Sequence, residues 1–210
     1  EYQEAGAEVS YSAEELFTQS EMIVKVAPPT RTELEWMQPN QILLSALHLG
    51  NTTPGFIKAL IDKGVCAIGY EFLKSSDGEF PIVRMMHEIT GSMAVQIAAH
   101  YLENSSNGQG ILLGGISGIP PATVSILGAG ITAEYAARTA LGYGAQVFVM
   151  DNDLAALRRL ENALDRRIIT ATANHQYLTT ALGFTDVLIG AAMTEGDMAP
   201  CWITEPMVQS

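Results

Sequence analysis

The chain has 210 residues, 48% of them hydrophobic and 16% charged, and carries a formal net charge of −12. Such a length gives one large or two modest domains a proper core, and such a composition excludes a disordered acidic tail. Eleven basic residues, mostly scattered, against 23 acidic ones exclude a nucleic-acid surface, which needs clustered cations to displace counterions, and no apolar run is long enough to span a bilayer.

Cys66 and Cys201 stand alone and far apart, with no C-x-x-C and no histidine at metal-ligand spacing. The expectation is a reduced, cytoplasmic protein with no metal site and no membrane partner. Residues 2–7 read as the middle of a helix, and the whole as a piece of a longer protein.

Residues 1–80 alternate short helices and strands. Ser12 with Glu15 reads as a capping box opening the helix that carries Leu16 and Phe17. Residues 22–26 follow as a strand, stopped by Pro28-Pro29. Thr30 and Glu33 repeat the capping signature before Leu34, Trp36 and Met37, and 41–47 is the next strand. Residues 54–63 are helical with Gly64 ending them, and 65–69 form a third strand. Aliphatic runs without alternation mark strands buried on both faces, as parallel sheets require.

The register changes at Pro81. From 86 to 102, Met86, Ile89, Met93, Ile97 and Tyr101 form one stripe of a long helix that connects the domains or meets another subunit. The boundary is placed there, giving a partial substrate domain at 1–80 and a nucleotide-binding domain at 81–210. A strand at 124–127, a glycine loop, a helix at 132–142 and a strand at 145–150 then begin a second alternation. It continues as helix 154–164, strand 168–171, helix 177–182 and strand 186–189. The fold class is α/β, a doubly wound parallel sheet of Rossmann type preceded by part of a second α/β domain.

The loop Gly128-Ala129-Gly130-Ile131-Thr132-Ala133 carries the chemistry. Gly128 permits a tight turn out of the strand, Gly130 lets a pyrophosphate approach the backbone, and Ala133 lets the helix sit close on the sheet. The pyrophosphate needs no basic side chain there, because a helix N-terminus supplies N–H groups and a dipole. A second strand ends at Asp151, about 20 residues on, where a carboxylate accepts from an adenosine ribose and repels a 2′-phosphate. NAD is therefore expected over NADP. Arg158 and Arg159 point the other way, since an arginine folding back tolerates that phosphate. The plain alternative is a structural glycine turn with Asp151 capping the next helix, but Asn152 or Asp153 can serve as that cap.

Val124 to Gly130, Ala145 to Asn152 and Leu157-Arg158-Arg159-Leu160 resemble the alanine dehydrogenase family. Its relatives are the NAD-binding component of proton-translocating nicotinamide nucleotide transhydrogenase and the saccharopine dehydrogenases. Ile23-Val24-Lys25-Val26, Leu47-His48-Leu49, Ala67-Ile68-Gly69-Tyr70-Glu71, Gly110 to Gly115 and Ile189-Gly190-Ala191 continue the likeness over nearly the whole chain. The resemblance implies hydride transfer between NAD and an amino acid, which goes on to a keto acid and ammonia, in a homo-oligomer. It makes His48 the acid–base residue, a task suited to a side chain type that titrates near neutrality. It adds Ala191 and Ala192 to the cofactor site, and leaves His87, His100 and His175 without a role.

The family's lysine for the substrate carboxylate falls at Ala27, so Lys25, on the same side of the strand, is the candidate substrate-binding residue. His87 stands where a serine is usual. By the same resemblance a carboxylate-binding arginine precedes Glu1 and a catalytic aspartate follows Ser210, so the fragment alone is expected to bind NAD without turnover. The other readings are a transhydrogenase component and a non-catalytic NAD-binding subunit.

Overall fold

Capping chemistry sets the helix starts in the first 83 residues. At α2 (Arg31–Trp36) Thr30 accepts from the Glu33 N–H and the Glu33 carboxylate accepts from the Thr30 N–H, a complete capping box. At α1 (Ala13–Gln19) only half of the expected box forms. Ser12 accepts from the Glu15 N–H, but Ser10 intercepts the Glu15 carboxylate and itself accepts from the Ser12 N–H. Pro54 opens α3 (Pro54–Asp62) behind Thr53, and Gly64 follows the helix at φ +64°.

The computed structural model describes residues 1–76, 78, 80–193 and 199–209, the last by its backbone alone. They divide into two units, Glu1–Val83 and Arg84–Ser210.

In the first unit β1 (Met22–Val24), β2 (Ile42–Ser45) and β3 (Cys66–Gly69) form a parallel sheet in that order. Each strand is one to three residues shorter than the sequence suggests. Its core gathers Phe17, Ile23, Met37, Leu43, Phe56 and Leu60. Lys63 donates to the carbonyls of Leu34, Glu35 and Met37 at 2.7 Å each, placing a cation on the C-terminus of α2 where the helix dipole favours it. Residues 2–6 form hydrogen-bonded turns, not the helix expected over residues 2–7.

In the second unit four parallel strands lie in the order β6 (Ile169–Ala171), β5 (Gln146–Met150), β4 (Thr123–Leu127), β7 (Val187–Gly190). The helices α5 (Ile131–Gly142), α6 (Leu154–Ala163) and α7 (His175–Leu182) connect them, and α8 (Glu205–Gln209) follows. Every residue of β4 is buried, as a central strand covered on both faces must be. The strand order reverses beside β4, and the crevice at the carboxyl ends there is where ligands enter such sheets.

The long helix α4 runs Pro81–Leu102, starting earlier than its apolar stripe because proline is well suited to the first turn. The stripe of Met86, Ile89, Met93, Ile97 and Tyr101 is exposed. Gly91, Val95 and Leu102 are the buried positions. A Cβ on Gly91 would lie 2.3 Å from the Thr132 carbonyl oxygen and 2.9 Å from the Ala136 nitrogen, so α4 crosses α5 backbone to backbone. Among the described residues no helix is long and apolar enough to cross a membrane.

Candidate functional site

Gly128 leaves β4 at φ +109°, and a Cβ there would lie 2.7 Å from the carbonyl carbon and oxygen of Ala191 and from the nitrogen of Ala192. Only glycine fits, both for its dihedral and for its neighbours. The Gly128 N–H donates to the Met150 carbonyl and the Ala191 N–H to the Leu127 carbonyl, each at 2.7 Å. The turn is therefore held by the ends of β5 and β7 together.

Gly130 is different. It has ordinary dihedrals, φ −83° and ψ −169°, and a Cβ on it would meet nothing within 4 Å. It is the N-cap of α5 and offers no capping side chain, so the first-turn N–H groups of Ile131, Thr132 and Ala133 have no partner within the helix. Ala133, Ala136, Ala137 and Ala140 are fully buried against the sheet. Open space in front of a glycine, beside a helix N-terminus lacking a side-chain cap, fits a pyrophosphate.

Asp151 stands at the end of β5. Its Oδ2 accepts from the Ala129 N–H at 2.7 Å and its Oδ1 from the Asp153 N–H at 2.8 Å. The cap of α6 is Asp153, which accepts from the Ala155 and Ala156 N–H groups. Those two backbone hydrogen bonds hold the Asp153 carboxyl below its ordinary range. Asp151 is thus not the helix cap, yet neither is it unattached as the sequence suggests: it braces the loop and keeps its remaining acceptor capacity for a diol. Arg158 is exposed on α6.

In the first unit His48 lies just beyond β2, exposed, while Leu47 before it is buried. It adopts a left-handed conformation, φ 46° and ψ 48°, uncommon for a residue with a Cβ. Glu71 Oε1 accepts from the backbone N–H groups of both Leu47 (2.8 Å) and His48 (2.9 Å). The neighbouring Tyr70 hydroxyl donates to the carbonyl of Val26. The turn after β3 thereby ties the carboxyl ends of all three strands. Nothing local in the sequence singles out Glu71, although it lies in the stretch Ala67 to Glu71 that resembles the family.

Lys25 is not presented as a free cation. Its Nζ lies 2.6 Å from Glu33 Oε2, both side chains about four-fifths buried, and the same carboxylate closes the capping box of α2. For Lys25 to engage a substrate carboxylate, this sheltered ion pair would have to break. His87, on α4, is half-buried, and burial pushes its imidazole below the ordinary value. Among the described residues no three His, Cys, Asp or Glu side chains gather as a metal site.

Residues 94–210 match the model of the family described as alanine dehydrogenase/PNT, C-terminal domain, and residues 1–90 that of alanine dehydrogenase/PNT, N-terminal domain. The alanine dehydrogenases of Methanococcus maripaludis and Lysinibacillus sphaericus are each 39% identical over all 210 residues, and the chain spans 56% of either. A solved L-alanine dehydrogenase is 36% identical with a TM-score of 0.89, matched over 99% of this chain and 57% of its own. A solved transhydrogenase from Sinorhizobium meliloti shares the fold, with a TM-score of 0.80 at 21% identity over 99% of this chain and 60% of its own. With an N-terminal α/β domain followed by a Rossmann-type NAD-binding domain, the chain belongs to the alanine dehydrogenase/PNT family.

Proposed function

We propose that this chain is part of an NAD-dependent amino-acid dehydrogenase that interconverts L-alanine, or a close analogue, with its keto acid and ammonia. The observation that carries the reading is the pairing of an open Gly130 with Asp151 fixed beneath the loop. That is the layout a dinucleotide with a free ribose diol requires. The likeness to alanine dehydrogenases over the full chain supports the choice of reaction. NAD, when bound, accepts the hydride from the amino acid's α-carbon.

The chain's own residues supply the rest. Gly128, Ala129, Gly130, Ile131, Thr132 and Ala133 form the pyrophosphate cradle, with Ala191 and Ala192 as its far wall. Asp151 accepts from the ribose, and Arg158 lies along the adenosine end. His48 holds the substrate's oxygen or nitrogen and exchanges a proton with it, from a position at the carboxyl end of a parallel sheet. Lys25, the candidate for the substrate carboxylate, has its charge shared with Glu33, and Ala27 removes the family's cation. The identity of the amino acid therefore rests on contacts other than this strand.

The reading includes a homo-oligomer, supported by the exposed stripe of α4, and a cytoplasmic setting, supported by two unpaired cysteines. The experiment is a screen of keto acids with NADH and ammonia on the full-length protein, beside direct titration with NADH and NADPH. Turnover of pyruvate or an analogue with tighter NADH binding is expected. NADH binding without turnover of any keto acid would favour the transhydrogenase component or a non-catalytic subunit. Replacing His48 by Ala is expected to slow reductive amination ~10²–10⁴-fold.

A further inference from the structure

We propose that Glu71 is the positioning residue for His48, its carboxylate fixing the left-handed turn from which the imidazole is presented. The proposal rests on the acid–base reading of His48. Among the described residues the His48 ring makes no hydrogen bond of its own, so the constraint on it comes from the backbone, which sets the direction of the Cα–Cβ bond. That backbone is in an uncommon conformation, one that persists when its surroundings over-determine it. Glu71 does so: two successive N–H groups, of Leu47 and His48, converge on the single oxygen Oε1. Such converging pairs form an anion-binding concavity of the backbone.

The sheet register delivers the carboxylate. Ser45 of β2 pairs with Gly69 of β3 at the carboxyl ends of both strands, and the 3-10 turn Tyr70–Phe72 that follows β3 folds Glu71 onto the backbone leaving β2. Gly69 makes room for it, since a Cβ there would lie 3.0 Å from Glu71 Oε2 and 2.9 Å from the Phe72 ring. Oε2 is buried and has no hydrogen-bond partner among the described residues. Burying a carboxylate oxygen unsatisfied is unfavourable. Among the described residues no cation pairs with Glu71; the grip of Oε1 on the backbone is what holds it there.

Reach and charge separate this role from any other. Glu71→Gln keeps the length and an acceptor oxygen while losing the charge, whereas Glu71→Asp keeps the charge but is one methylene too short. Positioning predicts that Gln retains kcat within about threefold of the parent, and that Asp lowers it about tenfold to a hundredfold, as a misplaced catalytic group does. The opposite order would show a role for the charge and overturn the proposal, as would equal rates. Glu71→Asp added to His48→Ala should slow the reaction no further than His48→Ala alone; a multiplicative loss also overturns it.

Amide hydrogen exchange at Leu47 and His48, measured on the full chain, keeps the test independent of turnover. Faster exchange in Glu71→Asp with parent-like exchange in Glu71→Gln is expected, and unchanged exchange in both removes the grip itself. If His48→Ala leaves the rate untouched, the acid–base reading fails, and the positioning role for that chemistry falls with it even where exchange confirms the grip.

Discussion

The backbone N–H of Ala129 donates to Oδ2 of Asp151 across 2.7 Å, joining the middle of the glycine loop to the end of the neighbouring strand. One carboxylate thus braces the loop proposed to cradle the pyrophosphate, and in the same proposal it accepts from the ribose. Replacing Asp151 by Asn keeps its shape but removes its charge. The preference for NADH over NADPH should fall by about tenfold or more, the worth of a charged hydrogen bond and of lost phosphate repulsion. Parallel fluorescence titrations check it, and an unchanged ratio of the two affinities would refute the role.

The two glycines of the loop should fail in different ways. Gly128→Ala forces a Cβ into the backbone of Ala191 and Ala192 at a dihedral L-residues avoid, so the melting temperature drops. Gly130→Ala meets open space, so the protein melts as before while NADH affinity is lost to the methyl group in the pyrophosphate's path. Thermal melts beside NADH titrations distinguish the two.

Acid should loosen the first unit through Glu33. Burial raises the Glu33 carboxyl, but hydrogen bonds from Lys25 and Thr30, with the Lys25 charge, outweigh burial and leave it below the ordinary carboxylate value. A carboxyl depressed by folding contributes stability above its unfolded pKa, and the contribution is lost as pH falls through the folded value. Glu33→Gln should therefore melt lower than the parent at neutral pH, with the gap closing well below about pH 4.3. A constant gap across that range would exclude titration of Glu33 as its source.

His87 gives a second pH dependence, in the other unit. Burial favours its neutral form, so the unfolded chain takes up a proton more readily. Stability is full above the unfolded value near about pH 6.5 and is lost as pH falls below it. Denaturant midpoints at about pH 7.5 and about pH 5.5 should differ less in His87→Ser than in the parent.

Much of this was legible because the relevant physics is local. Aliphatic runs between turn residues mark parallel strands, and the glycine spacing followed by an acid marks the loop, so both sheets and the glycine turn with its acid are visible without coordinates. Glu71 is not, because its partners are 23 and 24 residues away and meet it only through the register of β2 and β3. The long helix shows a further limit. Periodicity finds its Met and Ile stripe, but small residues such as Gly91 carry little hydrophobic signal, and they are the ones at the buried crossing. Lys25 reads as a spare cation until Glu33, eight residues on, is seen to hold it.

The wedging of Gly128 against Ala191, with its N–H on Met150, means that the nucleotide loop is assembled from three stretches scattered over some sixty residues. During synthesis the motif leaves the ribosome long before its wall does. A nascent chain halted ahead of β7 would carry every glycine of the signature and still lack the cradle, so cofactor capture becomes a late event in the life of this polypeptide, and the six-residue motif grafted onto another strand and helix would be inert.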